Sequence, residues 1–420
     1  MKKIKRRDFL LASGLSSASL FSKKISIKKT LLITQKKTGD IMSYDPWIEL
    51  NLENMGWNLR QVKKLAKVPV MAVIKANGYG HGLAEVGKFL EECGIDYLMV
   101  GKLQEALLLR EKGVSCPILN FGRFGPNDAK EIILHNIFQS VFDEKVKNLS
   151  QAGLQLGKNA KVHIHVDTGM GRMGISYRKA LPFIQTLSKL KNISIEGIST
   201  TLTEDDDFDR EQLKRFLSLC KKAGKEGISL DLKHAASSDA IFDLPSAHLD
   251  MVRPGITLYG YYPSEKTQKE DRLALKPVLQ LKARVVAVKD LQRGDSLSYH
   301  RKYTASKKEK IAIVPAGYSD GLPPNVVDKA HVLIRGKRYP LIAAITANHS
   351  AALLGTNSKV AVGDEIVLLG RQGKEKITAE DIAGWAGVSA YKILIGLNPL
   401  LPRMIISISA RSQGRKLADV

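Results

Sequence analysis

Val70-Met-Ala-Val-Ile-Lys75-Ala-Asn-Gly-Tyr79-Gly-His81-Gly leads an apolar run into a lysine and then into a glycine-rich loop. A continuous apolar run of this length, bounded by a loop, reads as a strand buried on both faces, the strand type of parallel sheets. Downstream, Leu83, Val86, Phe89, Leu90 and Cys93 recur at helical spacing, and Gly94 marks the stop. Strand, loop and helix in that order make one βα unit. Lys75 then stands at the C-terminal end of a strand, where barrel enzymes keep their chemistry. Burial there lowers a lysine's pKa and suits it to bond a carbonyl carbon. By itself, a lysine at a strand end reads equally well as a snorkelling surface residue.

The same alternation extends outward from this unit. Apolar strands are expected at 97–100, 117–121, 137–142, 162–166, 193–198 and 230–233, with a further segment around Met251. About eight βα units across residues 44–265 predict an α/β fold whose first domain is a (β/α)8 barrel. The dinucleotide fingerprint of an open sheet is absent. After residue 275 the texture becomes β-alternating, at 279–288, 310–314 and 331–334, which predicts a mainly β C-terminal domain over 266–420. The boundary falls in the polar stretch 263–271.

At 420 residues, 44% hydrophobic and 25% charged, the chain is long enough to bury two cores. Of its net charge of +23, residues 1–40 supply +9, with eleven Lys/Arg against two Asp, and the remainder of the chain is still basic. Elsewhere the basic residues are interspersed with acids and no aromatic-interleaved stripe appears, which argues against a nucleic-acid partner. Arg6-Arg7-Asp8-Phe9-Leu10, ahead of a modestly apolar run to Phe21, resembles a twin-arginine export signal. Residues 1–40 are therefore expected to be an export signal and basic linker toward the periplasm, the alternative being a basic tail on a cytoplasmic protein. The run is too short to span a bilayer as a stable anchor. Cys93, Cys116 and Cys220 offer neither a metal spacing nor a disulfide framework and are read as packing residues.

Several motifs, in order, resemble those of the alanine racemase family, which uses pyridoxal 5′-phosphate. The string around Lys75 and Tyr79 is similar to the family's cofactor-lysine motif. Asp167-Thr-Gly-Met-Gly-Arg172 resembles Asp-Thr-Gly-Met-x-Arg, and His234-Ala-Ala-Ser-Ser238 resembles His-x-Ala-Asn-Ser. Val252-Arg253-Pro-Gly255-Ile256 matches Val-Arg-x-Gly-Ile, and Leu297-Ser-Tyr299 matches Val-Ser-Tyr. Gly317-Tyr318-Ser-Asp320-Gly matches Gly-Tyr-x-Asp-Gly, and Ser389-Ala-Tyr391 falls where a further phosphate-binding tyrosine is expected. The likeness covers roughly residues 45–408.

The resemblance implies that Lys75 carries the cofactor and that Tyr299 is the opposing acid/base. It assigns Tyr79, Ser238, Gly255, Ile256 and Tyr391 to the cofactor phosphate, Arg253 to the pyridine nitrogen and Arg172 to the phenolic oxygen. Arg172, Tyr318 and Ala347 would meet an amino-acid substrate, and no metal is expected. It also implies a homodimer in which Tyr299 serves the other subunit's site. His81 and His234 read as structural hydrogen-bonders. Departures from the motifs are Thr201 for a histidine, Ser237 for an asparagine, His165 for a lysine, and Ala347-Asn348 for Met-Asp. They leave open a broadened substrate range, a silent cofactor-binding homologue, or a decarboxylase.

Overall fold

The computed structural model describes residues 45–270 and 272–406, so the expected export segment lies outside the described residues. Met71–Val73, buried throughout, is the expected first strand. It pairs in parallel with Tyr97–Val100, and the parallel ladder continues through Ile118–Asn120, Phe138–Val141, Ala160–Asp167, Ile193–Thr200 and Lys233–His234. The sheet then returns to its start. Val70 bridges Val252 in parallel, Met71 N–H donates to Val252 O at 2.9 Å, and Val73 N–H donates to Pro254 O at 2.9 Å. A parallel sheet closed in this way, with helices between its strands, is the (β/α)8 architecture. The strand expected at 230–233 starts later, because its ladder begins only where Leu232 O accepts from Ile198 N–H.

The segment before the first barrel helix departs from the expected division at residue 44. Trp47–Leu50 does not join the barrel. It lies in the second sheet, antiparallel to Leu279–Arg284 and parallel to Arg403–Ile405. All four of its residues are buried, so it needs a partner on both edges. Glu49 and Lys282 tie it down at 2.9 Å, and Lys282 also reaches Glu365 at 3.2 Å. Asn51 then accepts from Asn54 N–H at 3.1 Å and caps the helix Leu52–Ala66, which delivers the chain to the barrel. The second domain is otherwise the expected β structure, ordered Ala287–Leu291, Glu309–Val314, Ser350–Gly355, Lys337–Ile342, His331–Ile334, Glu365–Gln372, Leu279–Arg284. The stretch 279–288 divides between Leu279–Arg284 and Ala287–Leu291, which pair with different neighbours. Two short helices, Ala379–Ala386 and Ala390–Ile395, complete the domain and return toward the lysine turn. Of the cysteines read as packing residues, Cys220 is buried, Cys116 is half-buried and Cys93 is exposed.

Asn58 fixes the chain segment between the two domains. It is fully buried on the first barrel helix, donates from Nδ2 to Leu258 O (3.1 Å) and Lys276 O (2.8 Å), and accepts at Oδ1 from Lys276 N–H (2.8 Å). Asn58→Ala leaves these groups unpaired out of water. We expect a loss of about 1–3 kcal/mol in chemical denaturation, whereas Asn54→Ala, half-buried on the same helix with a single side-chain bond to Pro277 O, should lose less.

Candidate functional site

Past Ile74 the backbone takes an unusual path. Ala76, Asn77, Gly78, Tyr79 and Gly80 all have φ between +51° and +81°, and Gly78 N–H to Ile74 O (2.9 Å) and Gly80 N–H to Ala76 O (3.1 Å) close left-handed helical turns. Each non-glycine residue held there costs roughly 1–2 kcal/mol, so something must over-determine the turn. Asn77 N–H donates to Glu105 Oε1 at 3.3 Å, and Asn77 Oδ1 accepts from Leu83 N–H at 3.0 Å. Glu105 Oε2 in turn accepts from Gly101 N–H at 3.0 Å. A Cβ on Gly80 would stand 2.0 Å from Leu394 O, so only glycine permits the contact with the helix Ala390–Ile395. The turn leaves Lys75 reachable from solvent and buries Tyr79. Lys75 has a pKa lowered by its crowded surroundings and then by the Arg172 charge, while Glu105 opposes the shift.

A cavity of about 530 Å³ opens here. It brings together Lys75, Tyr79, Arg172, Ser238, Arg253, Gly255 and Tyr391, which the sequence places in separate motifs. Ile256 heads the adjoining turn with its side chain in the core, so only its backbone is available to the cavity. A Cβ on Gly255 would lie 2.7 Å from Tyr79 Oη, which makes this glycine part of the cradle. Ser238 Oγ accepts from Gly255 N–H at 2.9 Å, and the neighbouring Thr257 hydroxyl is buried without a partner among the described residues. Burial pushes the Tyr79 and Tyr391 hydroxyls well above the usual range, so both remain protonated donors. Small donors and a spare hydroxyl on a glycine turn suit a phosphate group.

Arg253 forms the polar centre of the cavity floor. Nη1 donates to His234 Nδ1 (2.8 Å) and His234 O (2.7 Å), and Nη2 to Thr200 O (2.6 Å) and Ala235 O (2.9 Å). Those bonds use four of its five N–H donors, leaving Nε–H for the cavity it lines. Burial brings its pKa down to about 10, so it stays charged at neutral pH. Arginine cannot accept a hydrogen bond, so His234 Nδ1 must be the acceptor. His234 Nε2–H then donates to His163 Nδ1 at 2.8 Å, and the proton of His163 sits on Nε2, buried without a partner among the described residues. The structural role expected of His234 is thus realised as the guanidinium's support. His81, also expected to be structural, bonds Tyr79 O through Nδ1 at 2.9 Å.

Arg172 projects from a loop ordered by Asp167 Oδ1, which accepts from Gly169 N–H (2.9 Å) and Gly171 N–H (3.1 Å). His165 is buried, 3.0 Å from Ser199 Oγ, and packs edge-on against Phe121. It is neutral at ordinary pH, so it adds no second positive charge beside Arg172.

The remaining expected residues form a different group. Tyr299, Tyr318 and Ala347 line a second pocket of about 440 Å³ in the β domain, so one chain does not bring Ala347 to Arg172 or Tyr299 to Lys75. Tyr299 is 76% exposed and Tyr318 54%. Ser298, just before Tyr299, has φ 70°, a left-handed position for a serine. The Tyr318 turn is fastened by Tyr318 N–H to Thr346 O (3.0 Å) and Ser319 Oγ–H to Ala347 O (2.7 Å). Sequence reasoning missed Glu204, which lines the first cavity with φ +64° and whose carboxyl is raised by burial and by Asp209. It heads an acidic run just before the helix Asp206–Lys225, and no motif in the sequence sets it apart from its acidic neighbours.

Comparison with known proteins gives one consistent result. The family descriptions "Alanine racemase, N-terminal domain" and "Alanine racemase, C-terminal domain" match residues 50–263 and 278–405. Alanine racemase 2 of Caldanaerobacter subterraneus is 39% identical over 367 residues, spanning 86% of this chain and 94% of that one. The alanine racemase of Methanococcus maripaludis is 36% identical over 374 residues, spanning 87% and 100%. Among solved structures, the alanine racemase of Clostridium difficile matches with a TM-score of 0.82 at 34% identity, covering 87% of this chain and 96% of that one. That of Bacillus anthracis with bound L-Ala-P gives 0.81 at 30%, covering 87% and 95%.

The buried histidines make the fold sensitive to acid. Burial holds His81 at about 4 and His163 and His165 at about 3, against 6.5 for a free imidazole. Below pH 6.5 the unfolded chain therefore binds protons that the folded chain refuses. Stability should fall as pH drops from 6.5 toward 4, by about 1.4 kcal/mol per pH unit for each such histidine. Denaturation midpoints measured between pH 7.5 and 5 should show this slope, and His165→Asn should lower it by about one proton's worth.

Proposed function

Because the chain belongs to the alanine racemase family and carries out pyridoxal-phosphate-dependent racemisation of alanine, we propose that Lys75 and Tyr299 are its two opposed acid/base groups, in a site shared between two copies. The observation that carries this reading is the separation of Lys75 and Tyr299 into different pockets of one chain, with Tyr299 exposed. A second copy closing over the barrel mouth would set Tyr299 of the partner subunit against Lys75.

Lys75 would hold the cofactor, with Tyr79, Ser238, Tyr391 and the Gly255–Ile256 backbone around its phosphate, Arg172 near its phenolic oxygen and Arg253 at its ring nitrogen. When bound, the cofactor supplies an electron sink that acidifies the substrate Cα–H. The chain's own groups do the rest. Lys75, with its lowered pKa, reaches its neutral form more readily and can take the Cα proton from one face. Tyr299 would serve the opposite face. The spare Nε–H of Arg253 fits a ring nitrogen that carries no proton, and the neutral histidines behind it offer none. Residues 1–40 we read as an export signal, on the Arg6-Arg7 pair before the apolar run.

The departures bear on substrate range. Thr201 stands in the first cavity where the family motif has a histidine, and Ala347 and Asn348 stand in the second where it has Met-Asp. Asn348 Nδ2 donates to Ser319 Oγ at 2.8 Å, which ties this uncharged amide to the Tyr318 turn. Loss of a methionine side chain makes room, and each methylene in an apolar pocket is worth only about 1–3 kcal/mol. The reading is a broadened racemase that accepts alanine and longer amino acids.

Lys75→Ala should lose covalent cofactor, and peptide mapping after borohydride reduction of the unmutated protein should find it on Lys75 alone. Tyr299→Phe should lose about 10²–10⁴-fold in racemisation and retain solvent-deuterium exchange from one enantiomer only. Equal residual exchange from both enantiomers, or a fully active monomer, contradicts the shared two-base site. For substrate range, kcat/KM for serine and methionine should lie within about 10³-fold of alanine, a span of a few methylenes. A larger gap defeats the broadened reading.

A further inference from the structure

A further cavity, of about 480 Å³, shares no lining residue with either pocket described above. It is built where the two domains join. Its walls come from Asn51 at the head of the first barrel helix, from Tyr261, from the connecting stretch 275–278, and from segments 369–371 and 376–378 of the β domain. Leu279, Leu369 and Ile377 give it a buried apolar wall, while Lys276, Arg371 and Lys376 line it as exposed cations. None of its lining residues is acidic. The acid that Tyr261 feels, Glu380, belongs to the helix Ala379–Ala386 and does not line the cavity.

Polar groups withdrawn from water are normally satisfied within the protein, and here donors are left over. Asn51 is 8% exposed; its Oδ1 accepts from Asn54 N–H at 3.1 Å, and its Nδ2 has no partner among the described residues. Tyr261 is 2% exposed, and its hydroxyl has no hydrogen-bond partner among them either. Both residues line the cavity, so what these groups bond has to enter there. Gln280 adds a further donor. A Cβ on Gly370, at φ +133°, would stand 2.6 Å from Gln280 Oε1, so glycine admits this side chain against the strand. Oε1 accepts from Arg371 N–H at 3.1 Å, which leaves the amide NH₂ unspent among the described residues. The Lys276 ammonium is steadied over the Trp57 ring, 3.8 Å from its centre, and Trp57 Nε1–H is held by Ala274 O at 2.6 Å. Unspent donors and cations on one apolar-walled cavity call for a molecule rich in acceptor oxygens and negative charge.

We propose that this cavity is a second binding site of the protein, for a phosphomonoester with an apolar body. The body packs on Leu279, Leu369 and Ile377, and the phosphate meets Lys276, Arg371 and Lys376. Asn51 and Tyr261 donate to oxygen atoms of the bound molecule. Three cations favour a dianion over a single carboxylate, and the forked donors of arginine match phosphate geometry. The volume lies within the roughly 300–1,000 Å³ of small-molecule sites.

The test is calorimetric titration of the holoenzyme at neutral pH with phenyl phosphate, benzoate, inorganic phosphate and phenol. Phenyl phosphate should bind about tenfold or more tightly than each of the other three, which lack the second charge, the apolar body or all charge. Arg371→Gln combined with Lys376→Gln should weaken it about tenfold, and Tyr261→Phe about threefold. Alanine racemisation by the double variant should be unchanged, because neither residue lines the pockets that hold Lys75 and Tyr299. Absence of phenyl phosphate binding overturns the proposal. Inorganic phosphate bound as tightly as phenyl phosphate does so too, by reducing the effect to the general positive charge of the chain. Phenyl phosphate binding that survives the double variant also overturns it, by placing the molecule elsewhere. Should Tyr261→Phe fail to fold, Asn51→Asp keeps the helix cap and removes the donor, and it should weaken phenyl phosphate at least as much.

Discussion

A guanidinium removed from water must have its charge met by the protein, and Arg253 meets this constraint at the mouth of the barrel. The penalty for burying such an ion is several kcal/mol unless its donors are satisfied. Its acceptors are Thr200 O at the end of one strand, His234 at the end of the next, and Ala235 just beyond. Arg253 itself follows Val252, through which the sheet returns to Val70. The bonds that solvate the charge are therefore also the bonds that hold the last strands of the ring at their C-terminal ends. The barrel closes by little regular ladder at this point, and the buried cation supplies much of what the ladder lacks.

The same charge sets the chemistry behind it. Desolvation first, and the Arg253 field second, hold His163 and His165 neutral, so the chain from Arg253 through His234 to His163 has one consistent proton arrangement. A protein that needs a cation presenting a single N–H cannot also tolerate imidazolium groups beneath it. Neutral histidines solve this by accepting from the arginine and passing the donor role inward, at the expense of one unpaired Nε2–H on His163.

Parallel strands covered on both faces read as apolar runs, which is why Met71–Val73 and Tyr97–Val100 were legible as barrel strands. Trp47–Leu50 is buried along its whole length although Glu49 interrupts its apolar residues, and its partners lie in Leu279–Arg284 and Arg403–Ile405, far along the chain. Local pattern reports burial and does not report which sheet supplies it. In the site, motifs located Lys75, Tyr79, Arg172, Ser238 and Arg253, all of which the structure places around one cavity. Glu204 was illegible because a run of acids before a helix has a sufficient local explanation, and only the cavity separates it from its neighbours. The left-handed turn at 76–80 was equally hidden, since Ala76 and Tyr79 have no intrinsic reason to adopt positive φ. Contacts from Glu105 and Leu394 impose it.

The two pockets differ in how they are held. The barrel half is rigid: Lys75 stands on a turn fixed by Asn77 and Glu105, and Arg172 on a loop fixed by Asp167. In the β-domain half, Tyr318 is bound through its backbone, while the Tyr299 side chain stands in solvent on a segment with positive φ values at Ser298, His300 and Arg301 on either side of it. A phenol in water has no preferred direction in which to deliver a proton, and proton transfer needs a heavy-atom approach near 3 Å. On the shared-site reading, the second copy supplies the direction, because only burial against the facing barrel would fix the Tyr299 ring. On that reading assembly would act as the positioning step for one of the two bases, and the facing copy would hold the segment that carries Tyr299, with its positive φ values at Ser298, His300 and Arg301, in one shape.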